Sequence, residues 1–361
     1  MNKRTNSSQP LRILLDIGHP AHVHLFRNAM RIWQERGHSL RITIRDKDIT
    51  ADLLDLYGFP YTVASRARKG TLGLALELFE HDWGVLKAAL QHRSQVLIGT
   101  SVAVTHVARL VGAKSMVFGE DNAEVAKTFV RLAYPFAHAI VTPICLGEDY
   151  GKRHITYNGY QKLAYLHPNY FTPNPAVLQK LGVKPGEPYF ILRFVSLLAA
   201  HDHGEAGLSL DARKRLVRYL SDHGRVFITS ETPLPGELEP YRFHISPDHM
   251  LDAMAFAKML VSDSQTMTAE AAILGVPAIR CNTFIGRISY LEELEHRYQL
   301  TYGFRPEQQE EMFAKIESLL CQPDLAEIWQ ERRKKLLAEK IDVTAWMVDV
   351  VEKFARGEKT D

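Results

Sequence analysis

The residues of this chain best suited to chemistry sit where apolar runs end and helical periodicity begins. In Val261-Ser-Asp-Ser-Gln-Thr-Met-Thr-Ala-Glu-Ala-Ala-Ile-Leu-Gly-Val-Pro-Ala-Ile279, a strand end passes through small polar side chains into a helix, which Gly275 stops before a new strand. A helix start leaves backbone N–H groups without intrahelical partners, and the macrodipole adds positive potential at that point. Such amides suit a phosphate. Ser264, Gln265, Thr266, Met267 and Thr268 would surround it, and Glu270, one turn into the helix, could accept hydrogen bonds from the hydroxyls of an attached sugar. A capped αβ unit without ligand explains the same segment.

A second cluster is Gly18-His-Pro-Ala-His-Val-His24, which follows the first strand and opens the first helix. Imidazoles accept protons near neutrality, so His19 first and His22 second are candidate bases or acceptor-positioning groups. Capping and core hydrogen bonding are the competing uses of either ring. Three histidines so close also raise a metal, but no cysteine or carboxylate set completes the ligands, and none is expected. Gly18 and the turn Gly99-Thr100-Ser101 could bind acceptor or phosphate through amides, or the glycines could serve tight turns alone. Glu120-Asp121-Asn122 ends another strand: Glu120 is an alternative base, and Asp121 and Asn122 are acceptor contacts, unless the loop is simply solvated.

In the second half Arg193-Phe-Val-Ser196 follows a strand directly. Arg193 offers a bidentate fork to a diphosphate, with Ser196 beside it. His201-Asp-His203 continues that loop, Ser230 ends the next strand near an expected base pocket, and Asn282-Thr-Phe-Ile-Gly286 follows the strand after the main motif. The Gly-x-Ser-x-Gly elbow and the Gly-x-x-x-x-Gly-Lys-Ser/Thr loop do not occur, and the first turn lacks the three spaced glycines of a dinucleotide site.

These residues need strand ends to hold them. Apolar runs at 11–17, 39–45, 96–98, 115–118, 139–141 and 154–157 read as strands, with helices at 23–36, 50–57 and 102–111. After a linker rich in Pro and Asn at 167–175 the alternation restarts, with strands at 189–193, 225–229 and 259–261 and helices at 210–222 and 247–257. That spacing predicts parallel, doubly wound sheets of the α/β class. The expected divisions are a disordered polar tail at 1–10, domains at 11–166 and 176–340, and a C-terminal helix at 341–361 that could cross back to the first domain. Ligands in open α/β sheets lie beyond the carboxyl ends of strands, so two facing units would enclose a cleft.

Composition narrows the function classes. At 361 residues the chain exceeds what one core usually serves. A net charge of +2 is too mild to argue for nucleic acid. Cys145, Cys281 and Cys321 are odd in number and far apart, which suits a reducing cytoplasm. The polar start lacks the apolar core of a signal peptide, and no apolar run reaches the ~18 residues that a membrane span needs. The stretch 69–90 (KGTLGLALELFEHDWGVLKAAL), preceded by Arg66 and Arg68, reads as a core helix or helix pair, with a peripheral membrane contact as the alternative.

Asp263-Ser264 followed by Glu270-Ala-Ala and Leu-Gly-Val-Pro277 resembles the nucleotide-sugar signature of GT-B proteins. Similar branches are the non-hydrolysing UDP-N-acetylglucosamine 2-epimerases and the N-acetylglucosaminyl transferase that makes lipid II. The transferase pattern also resembles Val96-Leu-Ile-Gly-Thr-Ser101 followed by Ser115-Met-Val-Phe-Gly-Glu-Asp-Asn122, and Ile13-Leu-Leu-Asp-Ile-Gly-His-Pro-Ala-His-Val-His-Leu-Phe-Arg27 resembles the opening of a bacterial and archaeal family of predicted glycosyltransferases. The resemblance spans roughly residues 11–340. It implies a GT-B fold: two Rossmann-like doubly wound domains facing a cleft, with C-terminal helices. It also implies a diphosphate on the turn 264–268 and ribose hydroxyls on Glu270. The implied activity is metal-independent transfer of a sugar from a nucleotide donor, UDP-linked by expectation, to a glycan or lipid-linked acceptor in cell-surface polysaccharide synthesis. The cytoplasm or the inner membrane surface would be its place, with no separate cofactor. An epimerase and a non-catalytic nucleotide-sugar-binding subunit are the alternatives. The epimerases put Gly-Gly where this chain has Gln265-Thr266, and open with Gly-x-Arg-Pro-Glu where it has Gly18-His-Pro-Ala-His22.

Overall fold

The computed structural model describes residues 9–68, 70–195 and 207–360. Most of the expected tail, Ser196 and the 201–203 loop lie outside the described residues. Two units partition the chain: one comprises Met1–Tyr165 with Asp342–Asp361, the other Leu166–Ile341.

The first unit runs β1 (Arg12–Ile17), α1 (Pro20–Glu35), β2 (Ser39–Asp46), α2 (Thr50–Tyr57), β3 (Thr62–Arg66), α3 (Thr71–His92), β4 (Val96–Gly99), α4 (Val102–Val111), β5 (Lys114–Phe118), α5 (Lys127–Ala133), β6 (Ala139–Pro143) and β7 (His154–Tyr157), with the short α6 (Leu163–Leu166) at its boundary. The second holds α7 (Val177–Lys180), β8 (Tyr189–Phe194), α8 (Leu210–Ser221), β9 (Arg225–Ser230), α9 (Met250–Ala255), β10 (Met259–Ser262), α10 (Gln265–Leu274), β11 (Ala278–Cys281), α11 (Ser289–Glu292), β12 (Thr301–Phe304), α12 (Gln309–Leu320) and α13 (Leu325–Glu339). The last helix, α14 (Val343–Arg356), belongs to the first unit.

Each unit is built on one parallel sheet. The first has seven strands in the order β3-β2-β1-β4-β5-β6-β7, the second five in the order β12-β11-β10-β8-β9. The strand order therefore reverses between β1 and β4, and again between β10 and β8. Helices leave in opposite directions at such a point, which opens a crevice beyond the carboxyl ends of the two strands. Both reversals coincide with polar turns singled out from the sequence: Gly18–His19 and 99–101 in the first unit, 193–195 and 262–264 in the second.

Local departures from the periodicity have physical causes. Helix α1 starts three residues before the apolar pattern does, because Pro20 supplies a preset φ at the first turn and His19 caps it. The stretch 69–90 forms one continuous helix from Thr71 rather than a pair. Its Gly84 is a packing residue: a Cβ there would stand 2.7 Å from Ala64 Cα, so its absence lets α3 lie directly on β3. Helix α14 closes the unit. Its Thr344 hydroxyl donates to the Ala164 carbonyl at 2.6 Å, Trp346 stacks on Tyr157, and Glu352 accepts from Arg36 at 2.8 Å.

Candidate functional site

In the first unit the reversal point is organised from below by Asp16, the fully buried penultimate residue of β1. Its Oδ1 accepts from Thr43 Oγ1 at 2.6 Å, and its Oδ2 accepts from Ser101 Oγ and pairs with His81 Nε2 at 2.9 Å. His81 reaches in from α3 and bonds Ser65 of β3 through Nδ1 at 2.8 Å. Burial alone would raise the Asp16 carboxyl, but the His81 imidazolium and the hydroxyls of Ser101 and Thr43 hold it below the usual carboxylate range. Burial opposes the His81 charge in turn, and Asp16 overcomes it, so the imidazole sits above its ordinary value. The result is a buried ion pair beneath the turn.

Two consequences reach the surface of that turn. Ser101 is the N-cap residue of α4 by position, yet its hydroxyl is drawn to Asp16 and makes no cap bond, so the first amides of α4 keep their donors for something else. Gly99 has φ +155°, and a Cβ there would meet the Asp16 carbonyl oxygen at 2.4 Å, so only glycine lets β4 run this close to β1. Gly18 is open on all sides and makes no such demand.

His19 and His22 stand over this floor with ring centroids 5.8 Å apart. His19 is exposed, and its Nδ1 accepts the Ala21 amide at 3.2 Å as the cap of α1. Accepting at Nδ1 leaves Nε2 as the donor atom of the ring. His22 is half-buried, with Nδ1 at 2.5 Å from the Thr100 hydroxyl. Burial first, then the positive fields of His19 and Lys162, push it down to about 3, so it is neutral near pH 7. Glu120 is buried against Lys162, which it binds as an ion pair, and it also accepts the Gln161 amide at 2.5 Å. Burial raises its carboxyl, against the pull of Lys162. Asp121 is exposed on the next turn, whose Asn122 carbonyl accepts the Val125 and Ala126 amides. Thus the structure gathers Gly18, His19, His22, Gly99, Thr100, Ser101 and Glu120 at one sheet edge, and adds Asp16, His81 and Lys162.

The second unit repeats the arrangement with different residues. Strand register sets Arg193 between Ser262 on β10 and Thr229 on β9. Its guanidinium donates to Thr229 Oγ1 at 3.0 Å and pairs with Glu231, while its buried Nε takes no partner among the described residues. Asp263 is buried where β10 ends: Oδ1 accepts the Val195 amide at 2.7 Å, Oδ2 faces Arg213 at 3.3 Å, and its carbonyl accepts Asn282 Nδ2 at 2.9 Å. Asn282, fully buried, therefore braces this turn from the end of β11.

Helix α10 begins on that brace. Ser264 is its N-cap and accepts the Met267 amide at 3.3 Å, the Ser262 hydroxyl accepts the Ser264 amide at 2.7 Å, and Thr268 Oγ1 donates back to the Ser264 carbonyl at 2.6 Å. The amides of Gln265 and Thr266 take no partner among the described residues, and these two residues are half-buried at the sheet edge. Glu270 lies one turn further in and is buried within α10. The Ser230 hydroxyl, at the end of β9, is engaged locally by the Thr232 amide at 3.2 Å.

Burial drives the Asp263 carboxyl up to about 6, against the Val195 amide and the Arg213 and Arg193 charges. An unfolded aspartate titrates near pH 3.9, so from about pH 4 to 6 the native state holds a proton that the unfolded state has released, and this group makes stability fall as pH rises. Asp263→Asn should flatten that part of a stability profile measured by urea denaturation, by up to about 3 kcal/mol. An unchanged slope would show that the carboxyl titrates like an exposed one.

Among the described residues no group of three or more His, Cys, Asp or Glu side chains is placed to hold a metal ion, and no helix is long and apolar enough to cross a membrane.

A family model described as "Protein of unknown function (DUF354)" matches residues 11–291. The uncharacterized protein MJ0665 of Methanocaldococcus jannaschii is 23% identical over 299 residues, 78% of this chain and 86% of that one. Among solved structures, the spinosyn forosaminyltransferase SpnP is similar with a TM-score of 0.62 and 14% identity, covering 96% of this chain and 100% of its own. A structure from Listeria monocytogenes assigned as a UDP-N-acetylglucosamine 2-epimerase has a TM-score of 0.65 and 13% identity over 98% of each chain. At such identities the likeness shows the fold alone: parallel α/β units of the GT-B fold.

Proposed function

Because the chain belongs to the family described as "Protein of unknown function (DUF354)", we propose its activity from the site itself: transfer of a sugar from a nucleotide donor, UDP-linked by preference, to a glycan or lipid-linked acceptor in cell-surface polysaccharide synthesis. The observation that carries this is the start of α10, where two amides have no partner among the described residues and follow the strand that pairs with β8 at Arg193, at the edge of a reversed strand order. A diphosphate satisfies both the amides and the guanidinium. Glu270 would hold the ribose hydroxyls, with Ser230 beside the nucleotide. A kinship with the lipid II-forming transferase, and a cytoplasmic site of action, are part of the same proposal.

In this mechanism an acceptor oxygen attacks the anomeric carbon while the bond from that carbon to the diphosphate oxygen breaks, and its electron pair leaves with the nucleotide. Arg193 and the α10 amides stabilise the charge that develops there, the part a metal plays in other enzymes. The acceptor proton passes to His22, whose Nε2 lone pair is available when Nδ1–H donates to Thr100. His19 then acts as donor and positions the acceptor. Burial, and after it the positive fields of His19 and Lys162, weaken His22 as a base, and an acceptor phosphate at the uncapped start of α4 would offset those fields. Asp121 and Asn122 would border the acceptor.

Calorimetry should detect UDP or a UDP-sugar and weaker or no binding of other nucleotides. Absence of binding by every nucleotide and nucleotide-sugar tried would remove the proposal. The epimerase reading is favoured by the likeness to the Listeria structure, and opposed by Gln265-Thr266 in place of two glycines. Incubation with donor alone separates the two, since an epimerase converts the intact nucleotide-sugar and a transferase leaves it unchanged. A non-catalytic binding subunit would bind nucleotide, lose affinity in Glu270→Ala, and be indifferent to His19→Ala.

A further inference from the structure

Helix α3 presents a line of large apolar side chains to solvent: Leu76, Phe79, Trp83 and Leu90 are 60%, 74%, 63% and 59% exposed. With Lys87 their spacing of three, four, four and three residues keeps all five within one narrow stripe. The opposite face, which carries His81, Val85, Ala88 and Ala89, is buried on the sheet. A stripe of phenyl and indole rings in water is unfavourable unless something covers it.

Charge identifies what covers it. Two of the three acids of α3 are paired with cations within the unit, Glu77 with Arg45 and Glu80 with Arg68 at 2.8 Å, and the third, Asp82, accepts from His106 at 3.0 Å. His106 also bonds the Leu132 carbonyl at 3.0 Å and packs edge-on against Phe136, which places the half-exposed Leu132 and Phe136 on the same side of the layer. Around them Lys87, Arg93, Arg109, Lys127 and Arg131 have no carboxylate partner among the described residues. Apolar rings with uncompensated cations around them match a bilayer surface with anionic headgroups, where indole and phenyl groups enter the interface and cations stay at the phosphates. We propose that this face of the first unit docks on an anionic lipid surface. The proposal does not depend on the nucleotide-sugar reading.

Vesicles of phosphatidylglycerol and phosphatidylcholine test it against vesicles of phosphatidylcholine alone. Trp33 and Trp329 are buried and Trp346 is stacked on Tyr157, so a blue shift of tryptophan emission on the mixed vesicles reports Trp83. The full-length protein should partition at least 10-fold better onto the anionic vesicles, and 0.5 M salt should weaken this. Phe79→Ser/Trp83→Ser, read by vesicle co-sedimentation because it lacks the reporting indole, should lower partitioning at least 10-fold with melting temperature and nucleotide affinity unchanged. Lys87→Glu/Arg93→Glu, which keeps the rings, should lower it about 5-fold. No partitioning, equal binding by the Phe79→Ser/Trp83→Ser variant, or a wild-type dimer that this variant turns into monomer would overturn it, the last by showing that a second copy covers the stripe. Vesicle binding without nucleotide binding would leave this surface standing and remove the transfer reading instead.

Discussion

Asp16→Asn should lower stability at pH 6 by about 3–5 kcal/mol, because it leaves the His81 imidazolium buried without its counter-ion. The pH dependence follows from the two directions of shift. Asp16 is held below its ordinary value, so its contribution is present above about pH 4 and is lost as pH falls through the lowered value. His81 is held above its ordinary value, so its contribution is complete below about pH 6.5 and is lost as pH rises through the raised value. The gap between wild type and variant is therefore widest between those limits and narrows in alkali. Urea midpoints at pH 6 and pH 9 measure it, and equal midpoints at pH 6 would refute the pair. The same substitution weakens the acceptor for the Ser101 hydroxyl, so sugar transfer by the folded fraction should fall as well.

Arg193→Ala should reduce turnover by about 10²–10³-fold while changing nucleotide affinity less, since in the proposed transfer the charge it meets grows as the donor bond breaks. Its loss should scarcely alter stability, because Glu231, its ion-pair partner, is partly exposed. Lysine at this position keeps the charge without the fork and should restore only part of the rate. Steady-state transfer from a UDP-sugar is the measurement. A kcat within about threefold of wild type would mean that the guanidinium does not face the leaving group.

Residues close in sequence made the turn at 264–268 readable. Ser264, the helix after it and Gly275 form a local unit whose cap, length and stop each have a residue signal, and the structure places a Ser264 cap and a left-handed Gly275 at those points. The floor of the other site is different in kind. His81 is 65 residues from Asp16 and Lys162 is 42 from Glu120, so no spacing pattern relates them. A weak sign exists for His81: it shares the inward face of α3 with Val85 and Ala88, where an imidazole needs a partner. Nothing comparable marks Lys162. The cap role of His19 follows from Pro20, whose ring fixes the first helical residue and makes its predecessor the cap. Gly84 misleads in the other direction, since a glycine inside a helical stretch suggests a break, while here it serves a close approach to β3.

The return of α14 to the first unit has a consequence for how the molecule comes into being. A ribosome releases the seven strands of that unit long before it makes the helix that covers Tyr157 and neutralises Arg36. Residues 12–157 must wait, partly uncovered, while the whole second unit is synthesised. The first unit is thus completed only after the second has been made, and a product stalled or clipped between residues 341 and 342 carries its defect in the unit that was synthesised before it.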